Sequence, residues 1–330
     1  MIYIVFDNAA PIGHLSRCVE KARKSYENMV IKNNKLPRML RQVILCIECA
    51  KKAKPGDTII CWFDFMAVLC WWFSPYKSKI KFIAVNVLIK KKSSLKNFIF
   101  RMLYSRAFKS NNFTATITAK EYGDYLNNIL NVHRSYTLLH DSYNEKHWVY
   151  NDVLPNIIPR SVFCGGVNGR DWDFILNLAK EMPDVTFIFA ISKNILEKFN
   201  SFISSNQLKN IQLHCNVPHN EFAKLLCSSE LIAMPLDSEA PSGLLVFFEA
   251  TANKKMIIAT DTSSTREYFS DGRGCLCKKD IQEWKNKIYY YLNNENERNL
   301  CNKKCNDFLN NECSQSKYEE LMIQLILYTV

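Results

Sequence analysis

Short runs of apolar residues alternate along the chain with longer segments whose apolar residues recur at helical spacing. Such runs are typical of buried strands, and the longer segments are typical of helices that cover a sheet. The pattern predicts strands at residues 2–6, 59–63, 80–87, 114–118, 135–139, 161–164, 184–190, 211–215, 231–236 and 255–259. It predicts helices at about residues 12–29, 36–53, 172–180, 194–204, 220–226 and 244–252, an apolar helix after the strand 59–63, and a final helix at 315–330.

Strands that alternate with helices form parallel sheets, because the crossover between parallel strands is usually a helix. About ten such units are too many for one ordinary sheet. The segment 151–160 has two prolines and little periodicity, which is typical of a linker. We therefore predict an α/β protein with two doubly wound, Rossmann-like domains, 1–157 and 158–330. Ligands of such sheets bind beyond the carboxyl ends of the strands, so we expect the two domains to face each other across a cleft.

The longest apolar stretch, residues 58–76, is interrupted by Asp64, and the run after it is too short to cross a bilayer. It predicts a buried strand and a buried helix. The first residues carry no basic segment or small-residue cleavage site of a signal peptide. The 13 cysteines are then expected to be reduced thiols in a cytosol. No cysteine pair is matched by a second pair at zinc-site spacing, so no metal is predicted.

The charge is unevenly distributed between the two halves of the chain. Of the net +11, residues 1–150 hold 24 Lys/Arg against 10 Asp/Glu, and residues 151–330 hold 19 against 22. A basic first half indicates contact with something anionic, such as a lipid surface, nucleic acid or an anionic substrate.

Three glycines within five residues, in CGGVNGRDWDFILNLAK, follow the predicted strand 161–164. Glycines there let backbone N–H groups approach a ligand, and the start of the following helix attracts anions. Arg170 adds planar donors that suit phosphate oxygens, and Asp171 is placed to cap the helix. The stretch predicts either a phosphate site or a tight turn with a solvent-exposed arginine.

A second stretch, PLDSEAPSGLLVFFEATANKKMIIATD, has the same order of strand, loop and helix. Ser242 and Gly243 open the helix, and the N–H groups of Gly243, Leu244 and Leu245 are expected to point out of its start. Glu249 lies roughly 9 Å further along the axis, within reach of a ribose whose diphosphate sits at the helix end. In apolar surroundings a lone carboxylate needs a partner or a ligand, although an exposed position is the alternative.

These two stretches, in this order, resemble the donor-binding half of GT-B glycosyltransferases, especially the retaining enzymes of family 4. The resemblance covers about residues 161–276, including NIQLHCNVPHNEFAKLLCSSELIAMPL and the turn ATDTSSTREYFSDGRG. It implies transfer of a sugar from a nucleotide diphosphate sugar, with retained configuration, without an obligatory metal and with no cofactor.

The resemblance also implies roles for individual residues. Gly166 and Arg170 would hold the diphosphate, together with backbone donors at Ser242, Gly243, Leu244 and Leu245, and Glu249 would bind the ribose hydroxyls.

The chain departs from the family pattern at two places. Many members carry a first glutamate where this chain has Pro241, and Glu239, two residues away, is the candidate substitute. Lys193 is the candidate for the family's second basic residue.

In the first half, polar residues follow three predicted strands. Gly13 and His14 lie between the first strand and its helix, where a neutral imidazole can contact the acceptor hydroxyl or the donor sugar. Asp64 follows the strand 59–63, as a catalytic carboxylate or a helix cap. Asn86 ends the stretch KFIAVN within the predicted strand 80–87 and is a candidate acceptor-side residue. His14, Asp64 and Glu239 are thus the candidate catalytic residues.

The basic segment 90–112 mixes cations with apolar residues at helical spacing. This pattern is typical of a helix on an anionic membrane surface, and the alternative is a surface helix packed on its own domain. No nucleic-acid module is visible, so nucleic acid is not a predicted partner.

The sequence therefore predicts a cytoplasmic hexosyltransferase, peripheral on the inner face of the cell membrane. Its acceptor would be a glycan or lipid-linked molecule of bacterial surface polysaccharide or lipopolysaccharide synthesis. A nucleotide-sugar epimerase of the same fold, or a catalytically degenerate membrane- or partner-binding subunit, are the alternatives.

Overall fold

The computed structural model describes residues 1–7, 12–31, 36–89 and 95–328, which form two compact units. The first unit consists of Met1–Asp141 and Gln315–Val330, and the second of Ser142–Ser314. The boundary predicted after residue 157 thus moves to residue 141. The reason is that the segment after Asp141 packs on the second unit, where the ring of Tyr143 lies 5.4 Å from that of Phe248.

The first unit contains a parallel sheet of six strands in the order β2-β1-β3-β4-β5-β6. Its strands are β1 (Ile2–Phe6), β2 (Tyr26–Val30), β3 (Thr58–Cys61), β4 (Lys81–Ala84), β5 (Phe113–Ile117) and β6 (Thr137–Leu138). The helices between them are α1 (Ile12–Lys21), α2 (Arg38–Lys52), α3 (Asp64–Phe73), α4 (Leu95–Phe108) and α5 (Lys120–Leu130).

The helix predicted at residues 12–29 is wrong in its second half. The chain turns at Arg23, whose φ is +55°, and Tyr26–Val30 then pairs in parallel with β1 as the edge strand β2. Its residues are half-buried or exposed, so β2 lacks the continuous apolar run of the inner strands. Its pairing with β1 is a non-local interaction that the local pattern does not contain.

The second unit contains another parallel sheet of six strands, in the order β12-β11-β10-β7-β8-β9. Its strands are β7 (Ser161–Gly165), β8 (Thr186–Ile191), β9 (Ile211–Cys215), β10 (Leu231–Met234), β11 (Met256–Thr260) and β12 (Cys275–Cys277). In each sheet the order reverses at the first strand of the unit, so both are doubly wound. The predicted α/β class with two doubly wound domains is confirmed.

Helices cover both faces of the second sheet. They are α6 (Glu145–Trp148), α7 (Trp172–Lys180), α8 (Leu196–Asn206), α9 (His219–Cys227), α10 (Leu244–Ala252), α11 (Thr265–Phe269), α12 (Ile281–Asn293) and α13 (Glu295–Glu312). One apolar core contains residues of α9, α10, α11 and α13, and a second contains residues of α7 and α12. The strands between them are buried on both sides, which explains their continuous apolar runs.

The last helix, α14 (Gln315–Leu327), belongs to the first unit. Tyr318 and Met322 are buried in the same core as β1 and α1. The ammonium of Lys81 donates to the carbonyl oxygens of Leu325 and Tyr328, at 2.5 and 2.8 Å, and so caps the end of the helix.

Candidate functional site

The order of the second sheet reverses between β7 and β10, its two neighbouring central strands. Ligands of doubly wound sheets bind outside the carboxyl ends of the strands at such a point. The loop after β7 contains Gly166 and Arg170, and the loop after β10 ends at Gly243. The two glycine-containing stretches singled out from sequence are therefore adjacent.

The guanidinium of Arg170 lies between two glycines, one from each loop. A Cβ added at Gly166 would lie 2.9 Å from Nη2 of Arg170, and one added at Gly243 would lie 2.9 Å from Nη1. Both glycines have positive φ, +112° and +86°, which side-chain-bearing residues rarely adopt. Glycine is required at both positions because of the backbone conformation and the nearby arginine.

Arg170 is 6% exposed, which excludes the solvent-exposed turn. Its Nε donates to the carbonyl of Gly165 at 2.9 Å, and its Nη1 donates to that of Asn168 at 3.3 Å. In the described part of the chain Nη2 has no hydrogen-bond acceptor. Burial lowers the pKa of Arg170, but this group stays charged in proteins. The loop therefore fixes a buried cation with a donor still available.

The helix α10 begins beside this cation. Gly243 is its N-cap, and Phe247 N donates to Gly243 O at 3.0 Å, which starts the helical ladder. No side chain caps this end, so the first N–H groups, those of Leu244 and Leu245 among them, have no intrahelical acceptor. Together with Arg170 they make a positive, donor-rich site that suits a phosphate group. Asp171 caps α7 as predicted, accepting from Phe174 N at 3.2 Å.

Glu249 is 3% exposed, so the alternative of an exposed helix residue is wrong. Burial raises its pKa to about 7. Its Oε1 is buried without a hydrogen-bond donor among the described residues, and Nε2 of His219 lies 3.4 Å away. His219, at the start of α9, is exposed and was not among the predicted site residues. Its position directly after the turn that follows a strand was the sequence signal that could have identified it.

The remaining predicted residues of the second unit have local partners. Glu239 Oε2 accepts from Ser263 N at 2.6 Å, so this carboxylate holds the loop after β11. Ser242 Oγ donates to Ala240 O at 3.2 Å. Lys193 is exposed in the short turn after β8. These residues all follow carboxyl ends of strands, but no contact joins Lys193 to Arg170 in the described residues.

In the first unit, Gly13 and His14 lie in the first turn of α1 and not in a loop before it. The imidazole of His14 is half-buried, and its centroid lies 4.5 Å from that of the Tyr318 ring on α14. Burial, with the charge of Arg17, lowers the pKa of His14, so the ring is neutral near pH 7. A neutral imidazole can accept a proton or a hydrogen bond.

Asp64 is the first residue of α3, and its carboxylate already accepts hydrogen bonds within the first unit. It accepts from the hydroxyl of Tyr104 at 3.2 Å and from the backbone N–H groups of Phe65 and Leu88. Burial raises its pKa, and these donors oppose the rise. The carboxylate joins α3 to α4, but Asp64 is not the predicted helix cap, because the N-cap of α3 is Phe63.

Asn86 follows β4 with a φ of +51° and joins two further strand ends. Its N–H donates to Oγ1 of Thr116 at 2.7 Å, and its side-chain amide donates to Asp141. Burial raises the pKa of Asp141 to about 6. Asp141, which sequence reasoning missed, thus stands with Asn86 at the carboxyl edge of the first sheet.

Part of the second unit is similar in sequence to a known protein family. Residues 174–307 match the sequence profile of the family described as Glycosyl transferases group 1. The match covers 134 of the 330 residues and is a likeness of part of the second unit to that family. The matched range includes Gly243 and Glu249 and begins after Arg170. A search of curated proteins found no match to the chain.

Solved structures show that the fold of the whole chain is GT-B. A glycosyltransferase from Rickettsia africae ESF-5 is 12% identical with a TM-score of 0.68, covering 100% of this chain and 99% of its own. Anabaena HepE, solved in complex with UDP-glucose, is 10% identical with a TM-score of 0.68 and covers 98% of each.

TarM is a longer structural neighbour. A mutant of S. aureus TarM, solved with Fondaparinux, alpha-GlcNAc-glycerol and UDP, is 15% identical with a TM-score of 0.63. The match covers 87% of this chain and 59% of that mutant, so this chain spans less than two thirds of its length. The same holds for TarM itself, of which 58% is covered.

Within residues 1–7, 12–31, 36–89 and 95–328, no helix has the length and apolar character needed to cross a bilayer. Within the same ranges, no group of three or more His, Cys, Asp and Glu side chains could hold a metal ion.

Proposed function

We propose that this protein is a glycosyltransferase that moves a sugar from a nucleotide diphosphate sugar to a glycan or lipid-linked acceptor. The observation that carries the proposal is the buried guanidinium of Arg170, held between Gly166 and Gly243 at the reversal point of the second sheet. The group 1 glycosyl transferase match and the UDP-glucose complex of Anabaena HepE support it.

In this proposal the diphosphate binds where charge and donors converge. Nη2 of Arg170 donates to a phosphate oxygen, and N–H groups at the start of α10 donate to the same group. The ribose hydroxyls donate to Glu249, whose Oε1 has no hydrogen-bond donor among the described residues. Lys193, exposed after β8, is a further cation for the donor.

The chemistry follows from these charges. The bond between the anomeric carbon and the diphosphate oxygen breaks, and the leaving diphosphate takes the electron pair. Arg170 and the α10 dipole stabilise the charge that develops, which is the contribution a divalent ion makes in other transferases. The acceptor oxygen forms the new bond on the face that the diphosphate leaves, and its proton passes to an oxygen of the departing diphosphate. We propose retention of configuration, with a hexose as the transferred group.

On the first unit we propose that His14 contacts the acceptor hydroxyl or the transferred sugar, because its ring is neutral near pH 7. Asn86 and Gly13 are the proposed acceptor-side residues. The setting is cytoplasmic, on the inner face of a bacterial membrane, in surface polysaccharide or lipopolysaccharide synthesis.

One observation favours a second candidate, a degenerate subunit that binds donor without transferring it. Pro241 stands where related enzymes carry a first glutamate, and Glu239 is engaged by Ser263 N. Incubation with nucleotide sugars and a lipid extract, with products followed by mass spectrometry, separates the two. Transfer supports the first function, and donor binding without transfer or hydrolysis supports the second. If UDP and GDP both fail to raise the melting temperature, neither proposal stands.

A further inference from the structure

One segment of the first unit combines exposed apolar side chains with cations that no acidic residue interrupts along the chain. Between Asp64 and Glu121 the sequence has 11 Lys/Arg and no Asp/Glu. This segment contains α3, β4, α4 and β5. Because no acidic residue of the segment can neutralise the cations locally, its surface attracts anions.

The helix α4 has two apolar sides, only one of which is used for folding. Tyr104, Ala107 and Phe108 are buried in the unit, and the ring of Phe100 lies 5.4 Å from that of Phe65 on α3. At 3.6 residues per turn these positions share one side of the helix.

The opposite side of α4 is exposed. Phe98, Ile99 and Met102 are 61%, 47% and 45% exposed. Arg106 lies on the same side, and Lys109 directly follows the helix. The helical spacing in segment 90–112 predicts a single apolar side that includes Phe98 and Phe108, but Phe108 is buried in the unit whereas Phe98 is exposed. The residues predicted at 90–94 lie outside the described part of the chain.

The end of α3 extends this surface. Phe73 and Tyr76 are 41% and 44% exposed. Lys77 lies 5.0 Å from the centroid of the Trp71 ring, and Arg106 lies 5.8 Å from that of Trp72. The indole of Trp72 donates to Leu103 O at 3.2 Å, which fixes α3 against α4. Cations held over aromatic rings at an apolar surface are the arrangement found at membrane interfaces.

A groove of about 440 Å³ runs between α4 and the end of α5. Phe98 and Met102 line it, with the basic side chains of Arg101, Arg106 and Lys109. No acidic side chain is among its lining residues in the described part of the chain. A lipid with an anionic head group fits this groove, because its charge would face the cations and its first methylenes would contact the apolar side chains.

We propose that this α3–α4 surface docks on an anionic lipid bilayer, with Phe98, Ile99 and Met102 entering the interface and the cations facing the head groups. Nucleic acid also attracts cations, but it offers no apolar phase for three neighbouring exposed side chains. The proposal concerns where the protein acts and is independent of the donor site in the second unit.

The test is co-sedimentation with vesicles of phosphatidylcholine, alone or with about one third phosphatidylglycerol, at physiological ionic strength. We expect binding to the anionic vesicles only. A triple variant, Phe98→Ser, Ile99→Ser and Met102→Ser, is expected to lower the partition coefficient by about tenfold or more, because its apolar contact is lost. Its melting temperature should be unchanged, since these side chains are outside the core.

The matched control is Val153→Ser, Leu154→Ser and Ile157→Ser, which removes three apolar residues that are 84%, 71% and 56% exposed in the second unit. This control should bind vesicles as the wild type does. Equal losses in both variants, no binding of the wild type to anionic vesicles, or unaltered binding of the Phe98 variant would each overturn the proposal. A melting-temperature rise with UDP, measured in parallel, reports the donor site separately.

Discussion

Nε2 of His219 lies 3.4 Å from Oε1 of Glu249, so an exposed imidazole on α9 faces a buried carboxylate on α10. In the described part of the chain this carboxylate oxygen has no hydrogen-bond donor. A buried charge without donors is costly, and it is retained in proteins chiefly where a ligand uses it. A substitution of Glu249 should therefore change both the free energy of unfolding and the affinity for nucleotide.

The substitution Glu249→Gln should stabilise the protein at pH 8 while weakening nucleotide binding. Burial raises the carboxyl pKa from 4.5 to about 7, so the folded state holds its proton more tightly than the unfolded state. Between those values the unfolded state ionises first, and rising pH favours unfolding. The gain over wild type is at most about 3 kcal/mol at pH 8 and vanishes near pH 4. Urea unfolding at several pH values measures it.

The same measurements can contradict this prediction. A difference in unfolding free energy between Glu249→Gln and wild type that stays constant from pH 4 to pH 8 would show that the carboxyl pKa is not raised. Unchanged UDP affinity in the variant would separate Glu249 from the ribose site.

Replacing Arg170 with Ala should weaken UDP or GDP binding by roughly 1.5–3 kcal/mol, the range for a hydrogen bond to a charged group. Calorimetric titration measures it. The matched control is Arg160→Ala. Arg160 directly precedes β7, at the amino ends of the strands, and pairs with Asp184 at 2.5 Å. Circular dichroism checks folding, since Arg170 also bonds two backbone carbonyls. Equal affinities in the two variants would remove Arg170 from the site.

The substitution Gly243→Ala should cost about 1–3 kcal/mol of stability and impair nucleotide binding. The added Cβ would lie 2.5 Å from Sδ of Met234 and 2.9 Å from Nη1 of Arg170, at a φ of +86°. Gly56→Ala is the control, because φ is +88° there and no atom lies within 4 Å of the added Cβ. Thermal unfolding of Gly56→Ala reports the cost of backbone strain alone, and the additional loss in Gly243→Ala reports the cost of crowding. If the two lose the same stability, the close approach to Met234 and Arg170 has no energetic role.

The substitution His14→Ala should reduce transfer by at least about a hundredfold and leave UDP affinity unchanged, as expected for a group that acts on the reacting atoms. Because burial lowers the pKa of His14, the ring stays neutral above pH 7, and the wild-type rate should not decline between pH 8 and 7. His133, exposed in the same unit, is the control position. A rate that already declines between pH 8 and 7 would contradict the assignment of His14.

Much of the fold was predictable because the central strands are buried on both faces. Strands such as β7 and β10 carry continuous apolar runs, and the loops after them carry glycine. The edges were harder to predict. β2 and β12 are short edge strands whose stability comes from pairing with β1 and β11, and α13 is a largely polar helix. Local patterns contain none of these interactions.

The candidate site was predicted at positions where a charged side chain lies next to glycines or among apolar residues. A glycine cluster before an arginine identified the loop of Arg170, and apolar neighbours identified Glu249 as a carboxylate in need of a partner. The partners themselves were not predictable. His219 and Asp141 reach their positions through sheet order, which brings together residues distant in the chain. Asp64 could not be assigned from sequence, since its donors Tyr104 and Leu88 come from elements that only packing unites.

The most direct measurement is a crystal structure of the protein with UDP bound. We expect the diphosphate to contact the guanidinium of Arg170 and the first N–H groups of α10, and the ribose hydroxyls to contact the carboxylate of Glu249. A nucleotide bound elsewhere, with Arg170 still satisfied only by the carbonyls of Gly165 and Asn168, would contradict it.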